Sequence, residues 1–132
     1  MFLTHPILLQ RLEGLAALSL AIAAYAMLGQ SWLVFGLLFL VPDLAMVGYL
    51  RSPKVGARSY NLVHTYAAPA LLALLGFAIG PLAYGLAAIW VGHIGFDRAL
   101  GYGLKLETGF GDTHLGAKGK TRRNEAQALN TP

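Results

Sequence analysis

The sequence contains no cysteine, which excludes disulfides, thiolate metal sites and a cysteine nucleophile together. Charge is nearly as scarce: 12% of the 132 residues are Asp, Glu, Lys or Arg, against roughly 25% in an ordinary soluble domain. The first positive charge is Arg11. No charged region therefore precedes the first apolar run, as a cleaved signal peptide would require, and that run is expected to stay in the mature protein. Hydrophobic residues make up 56% of the chain and its mean hydropathy is +0.57. The length suits one domain, and the expected solvent for it is a lipid bilayer. A net charge of +4 would suggest nucleic acid in a soluble protein. Here the basic residues lie between and after apolar runs instead of among aromatics, so no nucleic-acid partner is expected.

What is present is four apolar segments, Leu12–Leu28, Trp32–Leu50, Tyr60–Ile79 and Leu82–Leu104. Each is near the ~20 residues a helix needs to cross the hydrocarbon layer. None has the polar outer face of a soluble bundle helix. The expected fold is all-α: a four-helix transmembrane bundle over residues 1–116, with a Gly-rich loop at its end, then a basic tail over 117–132 expected to be disordered. Gly29-Gln30-Ser31 and Gly80-Pro81 make tight connections. In an up-down-up-down threading all ten basic residues, from Arg11 to Arg123, fall on or toward the side opposite those two turns. The positive-inside rule then places both termini in the cytoplasm.

Ionisable groups inside spans cost about 2.5–3.5 kcal/mol each near a helix centre and normally face a bundle interior. This chain has Glu13, Asp43, His64, His93, Asp97 and Arg98. At 1.5 Å per residue, Asp43 and Asp97 lie about 10 Å deep, His64 about 6 Å and His93 about 16 Å. All fall in the same half of the membrane, which predicts one polar pocket facing the cytoplasm. His93 and Asp97 stack one turn apart on a helix, whereas Arg98 points roughly 100° away. Tyr60, Asn61, His64 and Thr65 share a helical face. Pro42, directly before Asp43, removes a backbone hydrogen bond and predicts a kink, either lining the pocket or serving packing alone. Glu13 reads as a helix-start charge or as a further pocket carboxylate.

These are residue types of an oxygen/nitrogen metal site, although no compact motif such as His-Glu-x-x-His is present. His64, His93, Asp97 and His114 are the candidate ligands of a divalent metal ion. Asp43 and Asp112 are the candidate catalytic carboxylates. Asp112 and His114 lie in Glu107-Thr-Gly-Phe-Gly-Asp-Thr-His-Leu-Gly116, whose glycines permit a loop that folds back under the bundle and caps the pocket.

The segments Pro-Asp-Leu-Ala-Met-Val-Gly-Tyr (42–49), Tyr-Asn-Leu-Val-His-Thr-Tyr (60–66), His-Ile-Gly-Phe-Asp-Arg-Ala-Leu-Gly-Tyr-Gly-Leu-Lys (93–105) and Gly-Asp-Thr-His-Leu-Gly (111–116) carry a family resemblance. Over residues 10–116 the chain resembles a family of small bacterial four-helix membrane proteins known only as domain of unknown function 4260. The resemblance implies a bacterial inner-membrane location and the four-span plan, and carries no activity.

Three functions compete. The first is a metal-dependent enzyme acting on a membrane-soluble substrate. The second is a small carrier or proton-coupled transporter working as a homo-oligomer. The third is a binding or assembly module whose polar cluster specifies packing.

Overall fold

The computed structural model describes residues 5–129. Helix α1 (Pro6–Leu28) is followed by α2 (Trp32–Phe39), a 3-10 helix (Val41–Leu50), α3 (Pro53–Val63), α4 (Ala67–Ile79), α5 (Pro81–Leu100) and α6 (Lys120–Leu129). Among the described residues there is no strand, only an isolated antiparallel bridge between Lys105 and Thr113. Helix α6 lies in the tail, where the polar composition predicts no regular structure. Its Arg, Gln, Ala and Leu residues are all good helix formers.

Prolines set the punctuation. Pro6, Pro53 and Pro81 open helices, where a missing N–H costs nothing. Pro42 and Pro69 fall inside the second and third apolar segments, and each breaks one.

Pro42 cannot donate to the carbonyl four residues back, and the chain continues as ten residues of 3-10 helix. Runs beyond 3–4 residues are uncommon, and side chains three apart eclipse one another. Val41, Leu44, Val47 and Leu50 accordingly form one exposed apolar row, while Asp43, Met46 and Tyr49 form a row turned inward. A 3-10 rise of about 2.0 Å also corrects the depth of Asp43, from about 10 Å to about 14 Å, close to the level of His93.

The third segment is not one helix from Tyr60 to Ile79, as its composition suggests. It begins at Pro53, where the Ser52 hydroxyl caps the Val55 N–H at 3.2 Å, and it is interrupted over residues 64–66. Pro69 lacks the N–H that would reach Thr65, so the preceding turn opens. The carbonyls exposed by the break are taken up by α5: Trp90 Nε1 donates to Val63 O at 2.7 Å, and Arg98 Nη2 donates to His64 O at 2.9 Å.

Helix α5 is the packing centre, set against α1, α4 and α2. It approaches α1 backbone to backbone: a Cβ on Gly95 would lie 2.6 Å from the Gly14 carbonyl oxygen. Gly48 and Gly56 likewise bring the 3-10 helix onto α3, since a Cβ on either would run into Ser59 or Tyr49.

Among the described residues three stretches are long and apolar enough to cross a membrane: Pro6–Leu28, Trp32–Leu50 and Pro53–Ile79. Helix α5 is not among them, because it carries His93, Asp97 and Arg98. It ends at Leu100, where Gly101 turns left-handed at φ 85°, four residues short of the end its sequence suggests. At one end of the bundle Gln30 Nε2 donates to Pro81 O at 2.8 Å, joining the two short connections. At the other, Arg11 Nε donates to Ala99 O at 2.9 Å, and Arg58 pairs with Glu107 at 3.0 Å.

Candidate metal centre

Three elements deliver the four residues of one cluster. The 3-10 helix supplies Asp43, the C-terminus of α3 supplies His64, and successive turns of α5 supply His93 and Asp97. One ligand atom from each lies within 4.8 Å of all the others. His64 Nε2 is 3.0 Å from His93 Nε2, 3.4 Å from Asp43 Oδ1 and 3.6 Å from Asp97 Oδ2. His93 Nε2 is 3.5 Å from Asp43 Oδ1 and 3.9 Å from Asp97 Oδ2. A tetrahedral ion with Zn–N and Zn–O bonds of roughly 2.0–2.2 Å holds its ligands about 3.3–3.6 Å apart. Five of the six separations, at 3.0–3.9 Å, straddle that range, and the sixth, between Asp43 and Asp97, is within 4.8 Å.

The protonation pattern follows from the partners. His64 Nδ1 lies 3.0 Å from the Tyr60 carbonyl, which can only accept, so Nδ1 carries the proton and Nε2 offers a lone pair into the cluster. Tyr60 also donates its hydroxyl to Asp97 Oδ2 at 2.8 Å, and its ring stacks on His64 with centroids 3.6 Å apart. One residue thus orients two of the four candidate ligands. His93 is held edge-on by Phe39, and its Nδ1 is buried without a protein partner.

The cluster is accordingly rich in acceptors. Two carboxylates and two imidazole nitrogens converge, with both histidines fully buried. The nearby cations are directed elsewhere: Arg98 donates to the carbonyls of His64 and Tyr102, and Lys105 Nζ to that of Phe110. A shared divalent cation would meet both the lone pairs and the charge. Asp43 is the most open of the four, with its side chain 32% exposed against 13% for Asp97.

The Gly-rich loop does fold back under the bundle. Asn61 clamps its backbone, accepting from Lys105 N at 2.7 Å and donating to Lys105 O at 2.8 Å. The structure does not bring Asp112 or His114 into the cluster. Asp112 accepts from the Thr108 hydroxyl at 2.6 Å, and His114 Nδ1 accepts from Leu104 N at 2.8 Å, so both close the loop on itself. Glu13 is exposed and outside the cluster. Tyr60 and Asn61, expected on the His64 face, and Arg98, expected among the ionisable groups of the spans, prove to be the residues that hold the cluster and its surroundings in place, roles the sequence does not show. The i, i+4 step from Tyr60 to His64 was visible, but the partners of all three lie on distant segments.

Apolar helices of membrane-spanning length around a buried His/Asp cluster define a helical membrane protein with a polar centre inside its apolar segments. The chain belongs to the family described as domain of unknown function (DUF4260), whose model matches residues 7–117 and so takes in the whole cluster and the loop. No curated protein and no solved structure matches it.

Proposed function

We propose that the protein is a metal-dependent membrane enzyme whose divalent ion is held by Asp43, His64, His93 and Asp97. The observation that carries this reading is the convergence of four ligand atoms within 4.8 Å, five of their six separations lying at 3.0–3.9 Å. A bound ion of this kind supplies a water made acidic enough to act as nucleophile at neutral pH. The chain's own residues do the rest. His64, His93 and Asp97 would form the fixed part of the shell, with Tyr60 holding His64 and Asp97 and Phe39 packed edge-on against His93. Asp43, the most exposed and mounted on the 3-10 helix, would hold the ion from the open side of the cluster or serve as general base.

An apolar cleft of about 340 Å³ is lined by Val41, Pro42, Ala45, Val63 and Trp90. Pro42 and Val63 are the chain neighbours of Asp43 and His64, which favours an apolar, membrane-soluble substrate. The chain then spans a bacterial inner membrane four times, with α5 as the fourth span and both termini cytoplasmic. Supporting this are the gathering of Arg11, Arg58 and Lys54 at one end of the bundle and the contact between Gln30 and Pro81 at the other.

A second reading is carriage of the same ion across the membrane. The broken helix and the 3-10 segment at the cluster favour it, since transporters place interrupted helices at their ion sites. Metal analysis of the purified protein, followed by flux into proteoliposomes, separates the two. A retained stoichiometric ion without flux supports the enzyme, flux with weak retention supports the carrier, and neither ion nor flux removes both.

A further inference from the structure

Beyond the ends of the apolar segments lies a second cavity, of about 510 Å³, within the range of ~300–1,000 Å³ typical of small-molecule sites. It is formed between the Gly-rich loop and the start of α6. Lys105, Lys118 and Lys120 line it, with Tyr102 and Phe110 as apolar walls. No carboxylate does so among the described residues. The acids of the loop are engaged elsewhere, Glu107 with Arg58 and Lys54, and Asp112 with Thr108.

Lys105 is 6% exposed and has three hydrogens to donate. Its one oxygen acceptor among the described residues is the Phe110 carbonyl at 2.8 Å, and the faces of Phe110 and Tyr60 lie 4.3 Å and 5.2 Å from Nζ. Lys118 reaches the Leu100 carbonyl only at 3.5 Å and lies over Tyr102. A cavity with three ammonium groups and no counter-charge among the described residues of its lining suits an anion that accepts several hydrogen bonds.

We infer that this cavity binds a phosphate group, presented by an anionic lipid headgroup. Its position favours the lipid source: it opens just past Leu100, at the end of the bundle where the basic residues gather, which is where phosphates of the bilayer lie. The inference does not rest on the metal reading, because no cavity residue belongs to the His/Asp cluster.

The test uses the full chain in nanodiscs of phosphatidylcholine doped with phosphatidylglycerol, with retained lipids counted by native mass spectrometry. In parallel, inorganic phosphate is titrated against the melting temperature of the lipid-free protein in detergent. The wild type is expected to retain one phosphatidylglycerol. Lys118→Gln with Lys120→Gln lowers that retention at least about tenfold, the order expected for two lysines near a surface. Arg122→Gln with Arg123→Gln removes the same charge from outside the cavity and leaves retention unchanged. Phosphate that stabilises the wild type but not the Lys118/Lys120 variant, without phosphatidylglycerol preference, keeps the phosphate site and moves its source to solution. Equal retention in all three proteins with no phosphate effect, or an equal loss in the Arg122/Arg123 variant, overturns the inference.

Discussion

His64 and His93 face each other through their Nε2 atoms at 3.0 Å, from two helices and 29 residues apart in sequence, both sealed from solvent. Because Tyr60 fixes the His64 proton on Nδ1, His64 meets His93 with a lone pair. Two carboxylate oxygens close on the same point. Such a meeting of acceptors is stable only around a shared cation or shared protons. The proposed cation is favoured by five separations of 3.0–3.9 Å, which bracket those of a four-coordinate shell.

Tyr60→Phe removes the hydroxyl that holds Asp97 and keeps the ring that stacks on His64. It is expected to weaken metal binding about 10–100-fold with little loss of fold, the usual effect of removing a partner that orients a ligand. Metal competition against a chelator measures it. An unchanged affinity would show that Asp97 is not a ligand.

Arg98→Gln leaves the carbonyls of His64 and Tyr102 short of donors at the helix break. The expected cost is about 1–3 kcal/mol, read as a lower midpoint of thermal unfolding. Arg98→Lys, which keeps the charge and a long reach but has a single donor nitrogen in place of the two that serve the two carbonyls, should fall between. A variant as stable as the wild type would mean that the break needs no support from α5.

Reporter fusions at Gln30 and Pro81 should both read extracytoplasmic, and a fusion after Lys120 should read cytoplasmic. Four crossings require that pattern. A tail on the far side would mean three crossings, with α5 lying elsewhere than across the bilayer.

Burial, and after it the Arg98 charge, hold the His114 imidazole below its ordinary value of 6.5. The folded value is then lower than the unfolded one. The ring's contribution to loop stability is complete above pH 6.5 and is lost as pH falls through the folded value. The Leu104 amide, which donates to the neutral ring, should lose hydrogen-exchange protection in that acid range. His114→Gln should abolish the pH dependence. A ring that titrates above 6.5 contradicts the geometry.

The cluster was legible because ionisable groups are costly in apolar segments, so Asp43, His64, His93 and Asp97 had to turn inward together. Membership failed where the chain leaves the lipid. Asp112 and His114 sit among glycines, where no periodicity says which way a side chain faces, and each found a nearer partner within the loop. Helix geometry was legible in hindsight. The three-residue spacing of Val41, Leu44, Val47 and Leu50 spells a 3-10 face, yet over four residues it is easily read as part of an unbroken apolar run. The break at residues 64–66 was written in Pro69, a turn downstream of its effect. What no pattern could show is that Trp90 and Arg98, from another helix, would make that break tolerable.

The most direct measurement is the metal content of the detergent-purified protein by elemental mass spectrometry, taken together with that of His93→Ala, Asp97→Asn and the loop variant Glu107→Gln. One first-row divalent ion is expected per wild-type chain, with its loss in the two cluster variants together with the metal-dependent rise in melting temperature, and full content in Glu107→Gln. A wild type that takes up no such ion when it is supplied, or cluster variants that keep the full content, would contradict the metal reading.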